Sequence, residues 1–208
     1  DAGQAAAAFD AVFEQWLKRR LNAPERPSDP IVTLSRNDPR RVVETLQDLA
    51  RFRLRYRGAR ALPANLGGRP DLELVDAVAD FRRWVSSQPA EPKTLQLVAE
   101  LETLASFYAG SFDPPPDFAT LWRLAHPPQL GCMRRHSFDL LMPRRKTAWE
   151  RVAGKEHGAR LNEQATACFE QVSRSYRTLL GRIATALIAR LSAELDEVLG
   201  DYAAFKRV

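Results

Sequence analysis

Apolar residues recur three and four positions apart along most of this 208-residue chain, the spacing that gives a helix one buried face. Near the N-terminus Phe9, Val12, Phe13, Trp16, Leu17 and Leu21 keep this rhythm. Pro24, Pro27 and Pro30 then interrupt it, so residues 1–37 read as a helix followed by a proline-rich linker. A second helix is expected from Asp38, which can cap free N–H groups, with Pro39 in the first helical position and Val42, Val43, Leu46, Leu49 and Ala50 buried. Further helices start at Pro70 (Leu74, Val75, Val78, Phe81, Val85) and after Pro92 (Leu97, Val98, Leu101, Leu104, Ala105, Tyr108). Pro114–Pro116 force an extended link. Asp117 then caps a short helix through Leu121, Trp122 and Ala125.

The C-terminal third carries the longest pattern. From Leu161 to Phe205 apolar residues recur on average roughly every 3.7 positions, nearer a plain helix than the 3.5 of a left-handed coiled coil. Unbroken, such a helix is about 70 Å long at 1.5 Å per residue, although Gly200 is a candidate break. Shorter helices are expected at Phe138–Met142 and around Trp149. The chain therefore reads as all-α, a bundle of about six or seven helices organised around a long C-terminal helix at 160–206. Residues 38–208 form the bundle proper.

One stretch resists the helical reading at first sight. Residues 50–60, ARFRLRYRGAR, alternate arginine with large apolar residues as a strand would. No turn signal separates them from the preceding helix, however. Gly58 suits a left-handed C-terminal cap, and arginines in a last turn complement the helix dipole. On a helix, Arg51, Arg53, Arg55 and Arg57 form a collar rather than a stripe.

Charge adds a location. Formal net charge is +5, and residues 132–160 account for all of it. This connector holds Arg134, Arg135, Arg144, Arg145, Lys146, Arg151, Lys155 and Arg160 against Asp139, Glu150 and Glu156. Unpaired charges are costly to bury, so the connector should lie exposed, anchored by Phe138, Leu140 and Leu141. Arg134-Arg135-His136-Ser137 also has the spacing that basophilic kinases read, a pattern too short to weigh alone.

Candidate chemistry is sparse. Walker-type phosphate loops, GxGxxG, HExxH, G-x-S-x-G and Glu-x-x-His pairs are all missing. Glu44/Asp48 and Asp76/Asp80 are acid pairs at helical spacing, as solvated helix faces commonly carry. Cys132, His136, His157 and Cys168 offer the ligand types zinc prefers, but their C-x3-H-x20-H-x10-C spacing matches no common finger. No cofactor or metal is therefore expected. Two cysteines are too few for a disulfide scaffold and fit a reducing cytoplasm; a single bridge in a secreted protein is the alternative. The first residue is Asp1, consistent with a processed N-terminus. No apolar run approaches the roughly 20 residues of a transmembrane helix.

These features point to a non-catalytic interaction protein: a scaffold, adaptor or subunit of a larger assembly. It would meet a protein partner, or a second copy, through the long helix and the basic connector. The expected contacts are Arg134, Arg135, Arg144, Arg145 and Lys146, with Arg51 and Arg55 as a second group. Nucleic-acid binding through the same arginines is the alternative, since basic groups neutralise phosphate and aromatics stack on bases. An enzyme of unrecognised type is a third reading.

Overall fold

A computed structural model describes residues 2–23, 28–56, 68–135, 137–141 and 146–207. Eight helices occupy them: α1 (Ala2–Asn22), α2 (Pro30–Asn37), α3 (Val42–Arg55), α4 (Pro70–Ser86), α5 (Pro92–Tyr108), α6 (Phe118–Leu124), α7 (Lys146–Ala153) and α8 (Lys155–Phe205). Among the described residues there is no strand, only an isolated antiparallel bridge between Met133 and Leu140. No described helix is long and apolar enough to cross a membrane. The all-α class and the long C-terminal helix are as the periodicity requires.

Several boundaries differ from the sequence expectation, each for a capping reason. The segment around Pro30 was expected to be linker, yet it starts α2. Asp29 accepts N–H bonds from Ile31 (2.9 Å) and Val32 (3.2 Å), and Pro30 fills the first helical position. Asp38 caps as expected, its carboxylate accepting from the Arg41 N–H (3.3 Å), yet it does not itself begin the long helix. It is the C-cap of α2, and a turn separates it from Val42, where α3 begins. Val43 is consequently exposed while Val42, Leu46 and Ala50 are buried. Gly200 leaves α8 unbroken; its helical bonds cost only the usual glycine penalty of about 1 kcal/mol. The Arg-rich stretch after Ala50 is helical through Arg55, with Tyr56 as C-cap. Arg57 and Gly58 lie outside the described residues.

The chain forms two compact units. One consists of the described residues of Asp1–Asn65, Asp117–Trp122 and Ala184–Val208, the other of those of Leu66–Pro116 and Arg123–Ile183. In the first unit, Phe9, Phe13 and Trp16 of α1 pack with Ile31, Leu46, Leu195 and Tyr202. The Tyr202 hydroxyl donates to the Ala5 carbonyl (3.0 Å), and Trp16 Nε1 donates to Glu197 (3.0 Å). In the second unit, Phe81 of α4 meets Phe169 of α8 edge-on (6.5 Å), and Tyr108 of α5 meets Tyr176 (6.1 Å). The apolar stripe of α8 is thus covered by the chain's own helices in each unit. Ile188 and Phe205 are its large exposed exceptions.

Candidate interaction site

The basic connector belongs entirely to the second unit. Its first part is no helix, contrary to the expectation for Phe138–Met142. Residues 132–141 double back instead: the Arg134 N–H donates to the Asp139 carbonyl (2.8 Å) and the Leu141 N–H to the Cys132 carbonyl (2.7 Å). The local cause is short-range polar bonding. Ser137 Oγ donates to Asp139 Oδ2 (2.9 Å) and accepts from the Asp139 N–H (3.4 Å), while Phe138 takes a left-handed φ of 57°. Met142 lies outside the described residues.

The anchors also differ from those expected. Cys132 and Met133 are buried, Phe138 and Leu140 half-buried, and Leu141 exposed. Glu100 of α5 holds the base of the loop by accepting from the Cys132 N–H (2.5 Å). The second part of the connector is pinned by Trp149, which is 1% exposed and meets Trp84 edge-on at 5.9 Å. Gly158 permits the corner between α7 and α8, since a Cβ there would lie 2.5 Å from the Glu150 backbone nitrogen. Apolar groups therefore hold the connector while its described cations are exposed.

Four of the described cations, Arg134, Arg135, Arg151 and Lys155, are exposed and form no ion pair among the described residues. Lys146 reaches Glu150 only at 3.9 Å, Arg160 pairs with Glu156 across exposed side chains, and Asp139 is engaged by Ser137. Arg144 and Arg145 lie outside the described residues.

The second group of candidate contacts behaves differently. Arg51 pairs with both oxygens of Asp10 (2.8 Å each). Arg53 is largely buried, donating to Asp196 (2.5 Å) and the Ser192 carbonyl (3.1 Å). Arg55 alone of the three is exposed without an ion pair among the described residues. Beside it Phe52 and Tyr56 are about half exposed, their rings 4.8 Å apart.

Three of the four zinc candidates lie among the described residues. Cys132 is buried, Cys168 half-buried and His157 exposed, while His136 lies outside the described residues. Both cysteines are free thiols. Burial, reinforced by the Glu100 carboxylate, pushes the Cys132 thiol up to about 12. Cys168 is raised by burial and by Asp80. Among the described residues no three His, Cys, Asp or Glu side chains gather as a metal site.

The remaining shifts run in one direction, away from neutrality. Burial pushes Tyr176 up to about 12 and raises Tyr108, whose hydroxyl donates to the Leu124 carbonyl (3.0 Å). Burial would raise Asp71, but bonds and charge from Arg69 outweigh it and hold the carboxyl low. Burial would likewise raise Glu197, but bonds from Trp16, Arg19 and Arg20 outweigh it and hold the carboxyl low. Each shifted group is thereby fixed more firmly in its ordinary state at neutral pH, the opposite of tuning for proton transfer.

A cavity of about 560 Å³ that sequence reasoning missed lies between α4 and α5. Val78, Ala79, Ala105 and Ala109 line it, and the Arg82–Glu102 pair (2.8 Å) contributes to its wall. Its only sequence signal is the small side chains at Ala79, Ala105 and Ala109. Compared with protein-family models, curated proteins and solved structures, the chain matches none.

Proposed function

We propose that this chain is a non-catalytic helical interaction protein that docks an acidic protein partner through its basic connector. The observation that carries this reading is the set of exposed connector cations without carboxylate partners, on a loop and helix anchored from behind by Cys132, Met133 and Trp149. Such a surface attracts negative charge and speeds encounter with it. The long helix has less to offer a partner, because its stripe is buried in both units apart from Ile188 and Phe205.

Nucleic-acid binding is the second reading, favoured by Phe52 and Tyr56 exposed beside Arg55. The connector supports it less, because Trp149 is buried and cannot stack on a base. Affinity capture at physiological salt, alongside gel shifts with single-stranded and duplex probes, separates the two. Capture that disappears on reversing Arg134, Arg135, Arg144, Arg145 and Lys146 to glutamate supports the acidic-protein reading. Unchanged capture by the folded variant refutes it. A gel shift that weakens with salt and requires Arg55 and Phe52 would favour nucleic acid instead.

A further inference from the structure

We propose that Ser137 is a phosphoacceptor for a basophilic serine/threonine kinase, and that its phosphorylation switches off the connector as a docking surface. Arg134 and Arg135 stand three and two residues ahead of Ser137. Kinases of this class select substrates by such cations, which their acidic subsites bind. Recognition requires the cations to be available. Both are exposed and free of ion pairs among the described residues.

The hydroxyl itself is equally available. Ser137 is exposed where the chain doubles back, and among the described residues its side chain bonds only Asp139, two residues on. Ser173 and Ser192, by contrast, are buried within α8. Thr147 follows Arg144–Arg145 at the same spacing and stands in the first turn of α7, so it is the competing acceptor that the mapping must separate from Ser137.

In the transfer, the γ-phosphoryl group of ATP moves to Ser137 Oγ. The hydroxyl proton passes to the kinase's base, one P–O bond forms as another breaks, and ADP leaves. The product carries a charge of about −1.5 to −2 at neutral pH. Its bridging oxygen starts 2.9 Å from the Asp139 carboxylate, so a hydrogen bond becomes a repulsion. The nearest cations in sequence, Arg134 and Arg135, then have an intramolecular anion to pair with, and the connector's excess of five positive charges falls by about two. The loss of docking rests on the function proposed above; the acceptor assignment does not.

The test has two arms. The full chain is incubated with the catalytic subunit of cyclic-AMP-dependent protein kinase and ATP, and phosphate is mapped by peptide mass spectrometry. Modification at Ser137 is expected, lost in Ser137→Ala and slowed about tenfold by Arg134→Ala with Arg135→Ala. No phosphate at Ser137, or phosphate only at Thr147, overturns the acceptor assignment. The second arm measures binding of poly-L-glutamate to both forms by fluorescence anisotropy. The phosphorylated chain should bind about tenfold more weakly. Equal binding by both forms overturns the switch and leaves the docking reading standing. Binding by neither overturns the switch and counts against the docking reading, while the first arm still decides the acceptor.

Discussion

Arg20 and Arg134 carry the same guanidinium into opposite situations. The Arg20 side chain is 11% exposed and meets Asp29 (2.8 Å), Glu194 (2.5 Å) and Glu197 (3.3 Å). Asp29 meanwhile caps α2, so this one cation ties the end of α1, the start of α2 and the C-terminal part of α8 into the first unit. Arg134 has an ordered backbone, bonded to Asp139, and a side chain with no carboxylate opposite. Arg69 repeats the first case in the second unit, bridging buried Asp71 and exposed Asp113. Arginine therefore belongs to the fold where acids have been placed across from it, and to the surface where none have. A near-neutral charge over most of the chain reflects that matching; the +5 of the connector reflects its absence.

The comparison breaks most visibly through binding. Reversing Arg134, Arg135, Arg144, Arg145 and Lys146 to glutamate should weaken capture of the acidic partner by about 100-fold. Stability should move by no more than about 1 kcal/mol, because exposed charges contribute little to it. Urea unfolding of the same variant supplies the check. A collapse of stability would mean that these cations are matched after all, and the contrast with Arg20 would vanish.

Arg20→Ala is the mirror experiment. It leaves Asp29, Glu194 and Glu197 without their shared cation, and breaking such a part-buried network should cost about 3 kcal/mol in urea unfolding. Binding of the partner by the folded fraction should be unchanged. A loss of binding larger than the loss of folded protein would show that the first unit also contacts the partner.

Acid sharpens the same distinction. Asp71 is fully buried, bonded to Arg69 and to the Gly110 N–H (2.9 Å), and its folded pKa lies below the ordinary value of 3.8. At pH near and below the unfolded value the unfolded chain therefore binds more protons than the folded one, so stability rises with pH there. Its contribution is present above about pH 4 and is lost as pH falls through the lower folded pKa. Asp71→Asn should cost about 2 kcal/mol at neutral pH and flatten the acid limb of a stability–pH profile. An unaltered limb would mean that Glu197 and Asp117, also held low, carry the acid sensitivity instead.

Helices were legible in the sequence because a buried stripe has to recur at 3.6 residues, and α1, α4, α5 and α8 are long enough to show it. α2 was missed at eight residues, too short for periodicity to outweigh its prolines, although Asp29–Pro30 is a start signal of the same type as that credited to Asp38–Pro39. The doubled-back loop at 132–141 was hidden because its cause is side-chain bonding at Ser137 and Asp139 rather than a turn sequence rich in glycine. For the site, the charge excess of the connector could be counted directly. Which arginines were already neutralised could not, since Asp10 and Asp196 lie far from Arg51 and Arg53 in sequence.

The smallest expected effect tests the boundary between the two classes of arginine. Arg51 is matched, by two bonds to Asp10, yet both side chains keep substantial solvent contact. Water screens such a pair, and holding a long side chain in place offsets much of the attraction. Asp10 would also keep the Gln47 amide, which already donates to it at 2.9 Å. Arg51→Ala should therefore cost less than about 0.5 kcal/mol, near the resolution of urea unfolding. It should leave gel-shift affinity unchanged, because the cation it removes was already spoken for. Arg55→Ala, removing the exposed cation beside Phe52 and Tyr56, should be as silent in stability. If Arg51→Ala weakened nucleic-acid binding as much as Arg55→Ala did, the Asp10 pair would have to open on binding. Matched and unmatched arginines would then form one surface rather than two.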